Sequence, residues 1–131
     1  MSVKSEEALA LFKDGCNCCQ AILASAGDAE GLGREDALRL GSAFGGGMRR
    51  GEVCGAVTGA LMLLGLRHGA RDASEQDRKA DANARTIAYM KAFQERYGSY
   101  LCRDLIKNAG KKVCETVIPG AIELLDELEK K

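Results

Sequence analysis

Six cysteines carry the chemistry this chain can be expected to do, and three of them, Cys16, Cys18 and Cys19, fall within four positions near its start. The others are Cys54, Cys102 and Cys114. A thiol becomes a nucleophile or a metal ligand as its thiolate, which needs surroundings that favour negative charge. Cys18, Cys54, Cys102 and Cys114 each fall in or just before the opening turn of a predicted helix. Unpaired backbone N–H groups and the positive end of the helix dipole favour an anion there. The expectation is four thiols able to ionise near neutral pH, below the free-cysteine value of about 8.5. Their spacing is too wide for a zinc-ribbon knuckle, so only the fold can gather them. Cys16 and Cys19 form a C-x-x-C, but no βαβ pattern surrounds it. They are read as accessory thiols, Cys19 equally well as a core residue in line with Ile22 and Leu23.

The elements that must position these sulfurs read as helices. Apolar residues recur at three- and four-residue spacing, proline occurs once, and β-branched alternation is scarce. The fold expected is all-α, a single-domain helical bundle of about six helices spanning residues 1–131. A first helix runs from about Ser5 to Asp14, with Gly15 as its stop. Asn17 caps the next, with Gln20 at the third helical position completing a capping pair, and that helix continues to about Ala26. A third spans roughly Arg34 to Phe44 and ends in Gly45-Gly46-Gly47, a run that implies positive φ angles or close approach of backbone. The fourth starts near Glu52 or Val53 and ends around Arg67 to Gly69. Its Gly55/Gly59 stripe reads as a packing seam. A long helix from about Ser74 to Tyr97 has a polar first half, read as a solvated face or an interface. Ser99 caps a short helix to about Lys107, and Pro119 suits the first turn of an amphipathic terminal helix.

Composition excludes several classes. Nineteen basic residues balance nineteen acidic ones, so no global charge favours nucleic acid or an anionic membrane. The longest apolar stretch, VCGAVTGALMLLGL, is about 14 residues where a bilayer span needs roughly 20. MSVKSEEALALF lacks the pattern of a secretory signal, so a cytoplasmic location is expected, and six cysteines there point to metal or redox use more than to permanent disulfides. No Ser-His-Asp set, histidine metal group or phosphate loop is present. His68, the one histidine, is read as complementing a helix end, and Arg49 and Arg50 as an exposed basic pair.

The segments NCCQAIL and AFGGGMRRGEVCGAVTGALMLLGL, followed by Cys102 and Cys114, resemble the redox-active family named for its C_GCAxxG_C_C pattern. Its CGAxxG element is similar to Cys54-Gly55-Ala56-Val57-Thr58-Gly59, and the resemblance runs from roughly Phe12 to Ile118. It places Cys18 as the first family cysteine, with Cys19 where alanine is usual and Cys16 additional. It also implies that Gly45, Gly46, Gly47, Gly55 and Gly59 belong to the cofactor neighbourhood, the amides of the glycine run serving as donors to sulfur. The function expected is an iron-sulfur cluster held by Cys18, Cys54, Cys102 and Cys114, serving electron transfer or redox sensing. Similarity to the cluster-carrying domain of split-Soret cytochromes points the same way, although no haem-attachment C-x-x-C-H occurs. The alternatives are a thiol-disulfide oxidoreductase and a structural zinc protein with the same four ligands. The partner expected is a redox protein or a small thiol, with no nucleic acid and no membrane insertion. The polar half of the long helix and the glycine stripe also permit a homodimer.

Overall fold

The computed structural model describes residues 1–130. Among them seven α-helices form: α1 (Val3–Lys13), α2 (Cys18–Ala26), α3 (Arg34–Gly41), α4 (Gly55–His68), α5 (Gln76–Tyr97), α6 (Cys102–Ala109) and α7 (Val113–Glu129). A single 3-10 turn occupies Asp28–Glu30 and a tight turn Gly47–Gly51. The only β feature among the described residues is an isolated antiparallel bridge between Val53 and Leu101.

The architecture follows from α2. Ala21, Ile22, Leu23 and Ala24 leave it no polar stripe, so it can be stable only when surrounded. All its residues except Gln20 are buried, and α1, α3, α4 and α7 pack around it. The small-residue seam of α4 faces it. A Cβ on Gly59 would lie 2.9 Å from the Cβ of Ile22, closer than packed carbons sit. Tyr89 and Phe93 of α5 and Val117, Ile118, Ala121 and Leu125 of α7 complete one core. The Tyr89 hydroxyl donates to the Ala121 carbonyl at 2.8 Å, which satisfies the buried oxygen.

The helix boundaries depart from expectation for identifiable reasons. α3 stops at Gly41, short of Phe44, because the side-chain amide of Asn17 donates to the carbonyls of Gly41 and Ser42 at 3.0 and 3.3 Å. α4 starts at Gly55 because Val53 is held extended in the bridge, which makes Cys54 the cap instead of a first-turn residue. Leu101, not Ser99, is the N-cap of α6. Ser99 acts from two residues earlier, its Oγ accepting from the Leu101 N–H and donating to Asp104, both at 3.0 Å. Pro119 lies inside α7, not in its first turn. The helix has already begun with i to i−3 bonds from the N–H groups of Val113, Cys114 and Glu115 to Gly110, Lys111 and Lys112. Pro119 has no N–H for the Glu115 carbonyl, a cost offset by burying Val117, Ile118 and the proline itself.

Candidate functional site

Each of the four sulfurs owes its position to a local device. α1 ends in a Schellman arrangement. Gly15 takes φ +115°, its N–H donates to Phe12, and the Cys16 N–H donates to Leu11 at 3.0 Å. The chain then enters α2 through a complete capping box, with Gln20 N–H to Asn17 Oδ1 at 2.8 Å and Asn17 N–H to Gln20 Oε1 at 2.9 Å. Cys18 therefore becomes the first residue of α2. Cys54 and Cys102 are set by the bridge. The Cys54 N–H donates to the Tyr100 carbonyl at 2.8 Å and the Cys102 N–H to the Glu52 carbonyl at 2.7 Å, which lays the starts of α4 and α6 side by side. Cys114 occupies the second position of α7.

These four sulfurs line one cavity of about 120 Å³, several times the roughly 10–15 Å³ that a single water needs. Its walls are otherwise apolar: Phe12, Leu105, Ile106, Val113 and Val117. Asn17 and Gly46 complete it. Neither Cys16 nor Cys19 contributes. Cys19, one residue on from Cys18, is fully buried in the core, whereas Cys16 is half-buried at the end of the α1 turn. All six cysteines are free thiols. Among the described residues no three histidine, cysteine, aspartate or glutamate side chains come close enough together to hold one metal ion, so the sulfurs surround a space without meeting at a point.

The electrostatics correct the expectation of low thiol pKa values. Burial, and then the neighbouring Cys18, push the Cys54 thiol up to about 12, although the amides of Ala56 and Val57 pull the other way. Burial followed by Cys18 also raises Cys102 and Cys114. Desolvation of an apolar cavity outweighs the helix-terminal field that the sequence suggested. Burial pushes Cys19 to about 12 as well. The recurrence of Cys18 among these causes reflects how near it stands to each of the others.

The glycines divide by role. Gly46 borders the cavity, whereas Gly45, Gly47, Gly55 and Gly59 do not. Gly45 allows the backbone to approach Asn17, since a Cβ there would lie 2.6 Å from the Asn17 Cβ. A Cβ on Gly55 would land on the Cys18 sulfur. Gly46 and Gly47 open a left-handed turn that continues through Met48 at φ 60° and Arg49 at φ 62°. Such a conformation costs a non-glycine residue roughly 1–2 kcal/mol. Arg49 and Arg50 are exposed beside it. His68 stands at the opposite end of α4 from Cys54, and its Nε2 lies 2.9 Å from a Glu129 carboxylate oxygen.

Sequence reasoning missed the apolar walls and the bridge. The walls give no signal because Leu105, Ile106, Val113 and Val117 read as ordinary core positions. A one-pair bridge has no periodicity to detect.

The family model described as "Putative redox-active protein (C_GCAxxG_C_C)" matches residues 16–128. No curated protein and no solved structure matches the chain.

Proposed function

Since the chain belongs to the redox-active C_GCAxxG_C_C family, we propose that Cys18, Cys54, Cys102 and Cys114 hold an iron-sulfur cluster and that the protein serves electron transfer or redox sensing. The observation that carries this reading is the cavity, which four thiols and no other metal-ligating side chain share. Four thiolates are the count such clusters use, and the bound group supplies one-electron chemistry.

The residues fit that group better than they fit a single ion. Zinc needs all its sulfurs about 2.3 Å from one centre, and the described residues offer no such convergence. A cluster takes its thiolates at separate irons, so sulfurs spaced around a cavity suit it. Apolar walls offer water few partners at the site, and the Ala56 and Val57 amides favour negative charge on Cys54. Thiol-disulfide exchange is supported less well. Attack needs an accessible thiol, and Cys18, Cys19, Cys54 and Cys102 are all buried. Free thiols throughout suit a reducing compartment such as the cytoplasm.

The test is iron and acid-labile sulfide analysis of protein purified without oxygen, with a visible spectrum recorded before and after reduction. Iron, sulfide and a reducible absorption band are expected. Colourless protein with one zinc per chain would replace the reading by a structural one, and metal-free protein with interconverting thiols and disulfides would replace it by exchange.

A further inference from the structure

The balanced charge of the whole chain conceals a local imbalance at the sulfur-bearing end. We propose that the rim of the cavity is a docking surface for an acidic electron-carrier protein. Arg49, Arg50, Arg103, Lys107, Lys111 and Lys112 are all exposed. None takes part in an ion pair among the described residues. None of them lines the cavity itself, but each stands within four residues, along the chain, of one that does. Arg103 follows Cys102, Lys107 follows Ile106, Lys111 and Lys112 lead into Val113, and the arginine pair lies just beyond Gly46. The two segments are packed together, because a Cβ on Gly51 would lie 3.0 Å from the Arg103 Cβ.

Against these six cations, residues 46–52 and 102–115 contain three acids, Glu52, Asp104 and Glu115. Two are engaged: Asp104 accepts from Ser99 at 3.0 Å and Glu115 faces Lys13 at 3.8 Å. Six against three leaves an excess of three positive charges here, in a chain whose 19 basic and 19 acidic residues cancel. A net-positive rim around a low-dielectric cavity focuses its field outward and steers a complementary partner to that mouth.

The extent of the patch selects a protein over a small anion. α6 alone is about 12 Å long at 1.5 Å per residue, and the basic residues continue beyond both its ends. Neither segment contains an aromatic residue on which a nucleobase could stack. That the partner carries electrons rests on the reading of the cavity as a redox centre, whereas its acidity rests on the rim alone.

The experiment measures binding of a strongly acidic ferredoxin to the full chain by calorimetry, with iron and sulfide determined on the same samples. The native chain is expected to bind, more weakly as salt rises toward about 0.15 M. The triple variant Arg49→Glu, Arg103→Glu, Lys107→Glu should bind at least about tenfold more weakly, with an unchanged melting temperature. Lys79→Glu, an exposed reversal on α5, should bind like the native chain. Absence of binding at low salt, equal affinity of the triple variant, or tighter binding of a single-stranded oligonucleotide would overturn the proposal. Rim-dependent binding by a chain without iron would keep the surface and remove the cluster, and rim-independent binding by a loaded chain would do the reverse.

Discussion

Val53 and Leu101 face each other in a single antiparallel bridge, and the residue after each is a cysteine of the cavity. Two backbone hydrogen bonds thus set the starts of two helices, and two sulfurs, side by side. The bridge is the smallest piece of sheet that could do this.

The bridge depends on Ser99, whose hydroxyl fixes the approach to α6. Ser99→Ala removes the bonds to the Leu101 N–H and to Asp104, and should cost about 0.5–1.5 kcal/mol for each. Thermal melting measures the stability loss. Iron content should fall with it, because Cys102 loses its fixed entry.

Gly55 and Gly59 separate site from scaffold. Gly59→Ala presses on Ile22 and should cost about 1–3 kcal/mol while the chain that remains folded still takes up iron. Gly55→Ala displaces the Cys18 sulfur itself, so iron uptake should drop even in the folded fraction. Denaturation midpoints and iron per folded chain, measured together, distinguish the two.

Cys18→Ser and Cys19→Ala test the choice between neighbours. The first should strip iron with little loss of stability. The second empties part of the core and should lower the melting temperature while leaving iron in place. Equal iron loss from both would show that the cavity does not select its sulfurs.

Met48 holds a left-handed conformation that glycine adopts freely. Met48→Gly relieves roughly 1–2 kcal/mol of strain, against about 0.4–1 kcal/mol of added freedom in the unfolded chain. The expected result is a denaturation midpoint unchanged or slightly raised. A clear decrease would mean that the Met48 side chain contributes packing the turn requires.

Glu75 gives a pH dependence of known sign. Its bonds to the Arg71 side chain and backbone hold the carboxyl down at about 2, from 4.5. A depressed carboxyl contributes stability that is complete above its unfolded value and lost as pH falls through the folded one. Amide exchange at Arg71 should therefore quicken, relative to intrinsic rates, as pH drops from about 4.5 toward about 2, and Glu75→Gln should abolish that dependence.

The all-α class, the Asn17–Gln20 cap, the Gly15 stop and the glycine seam were legible because each rests on local chemistry with a fixed spacing. The helix start at Cys18 was legible for the same reason, whereas α6 is capped by Leu101 instead of Ser99 and α7 begins at Val113, ahead of the start that Pro119 suggested. The cap position of Cys54 was not, since it is imposed by Leu101, far along the chain. Pro119 misled because proline is tolerated inside a helix when burial compensates. The raised thiol pKa values were hidden because a sequence shows the helix terminus but not the apolar walls that close over it.

Consecutive residues on α2 point about 100° apart, so Cys18 looks into the cavity while Cys19 looks into the core. The selection between them is a matter of angular phase, set by where the capping pair begins the helix. A shift of the helix by one residue would bring Cys19 to the cavity in one direction, or send Cys18 into the core in the other, without altering either side chain. Which thiol faces the cavity is thus written in Asn17 and Gln20 as much as in the cysteine itself.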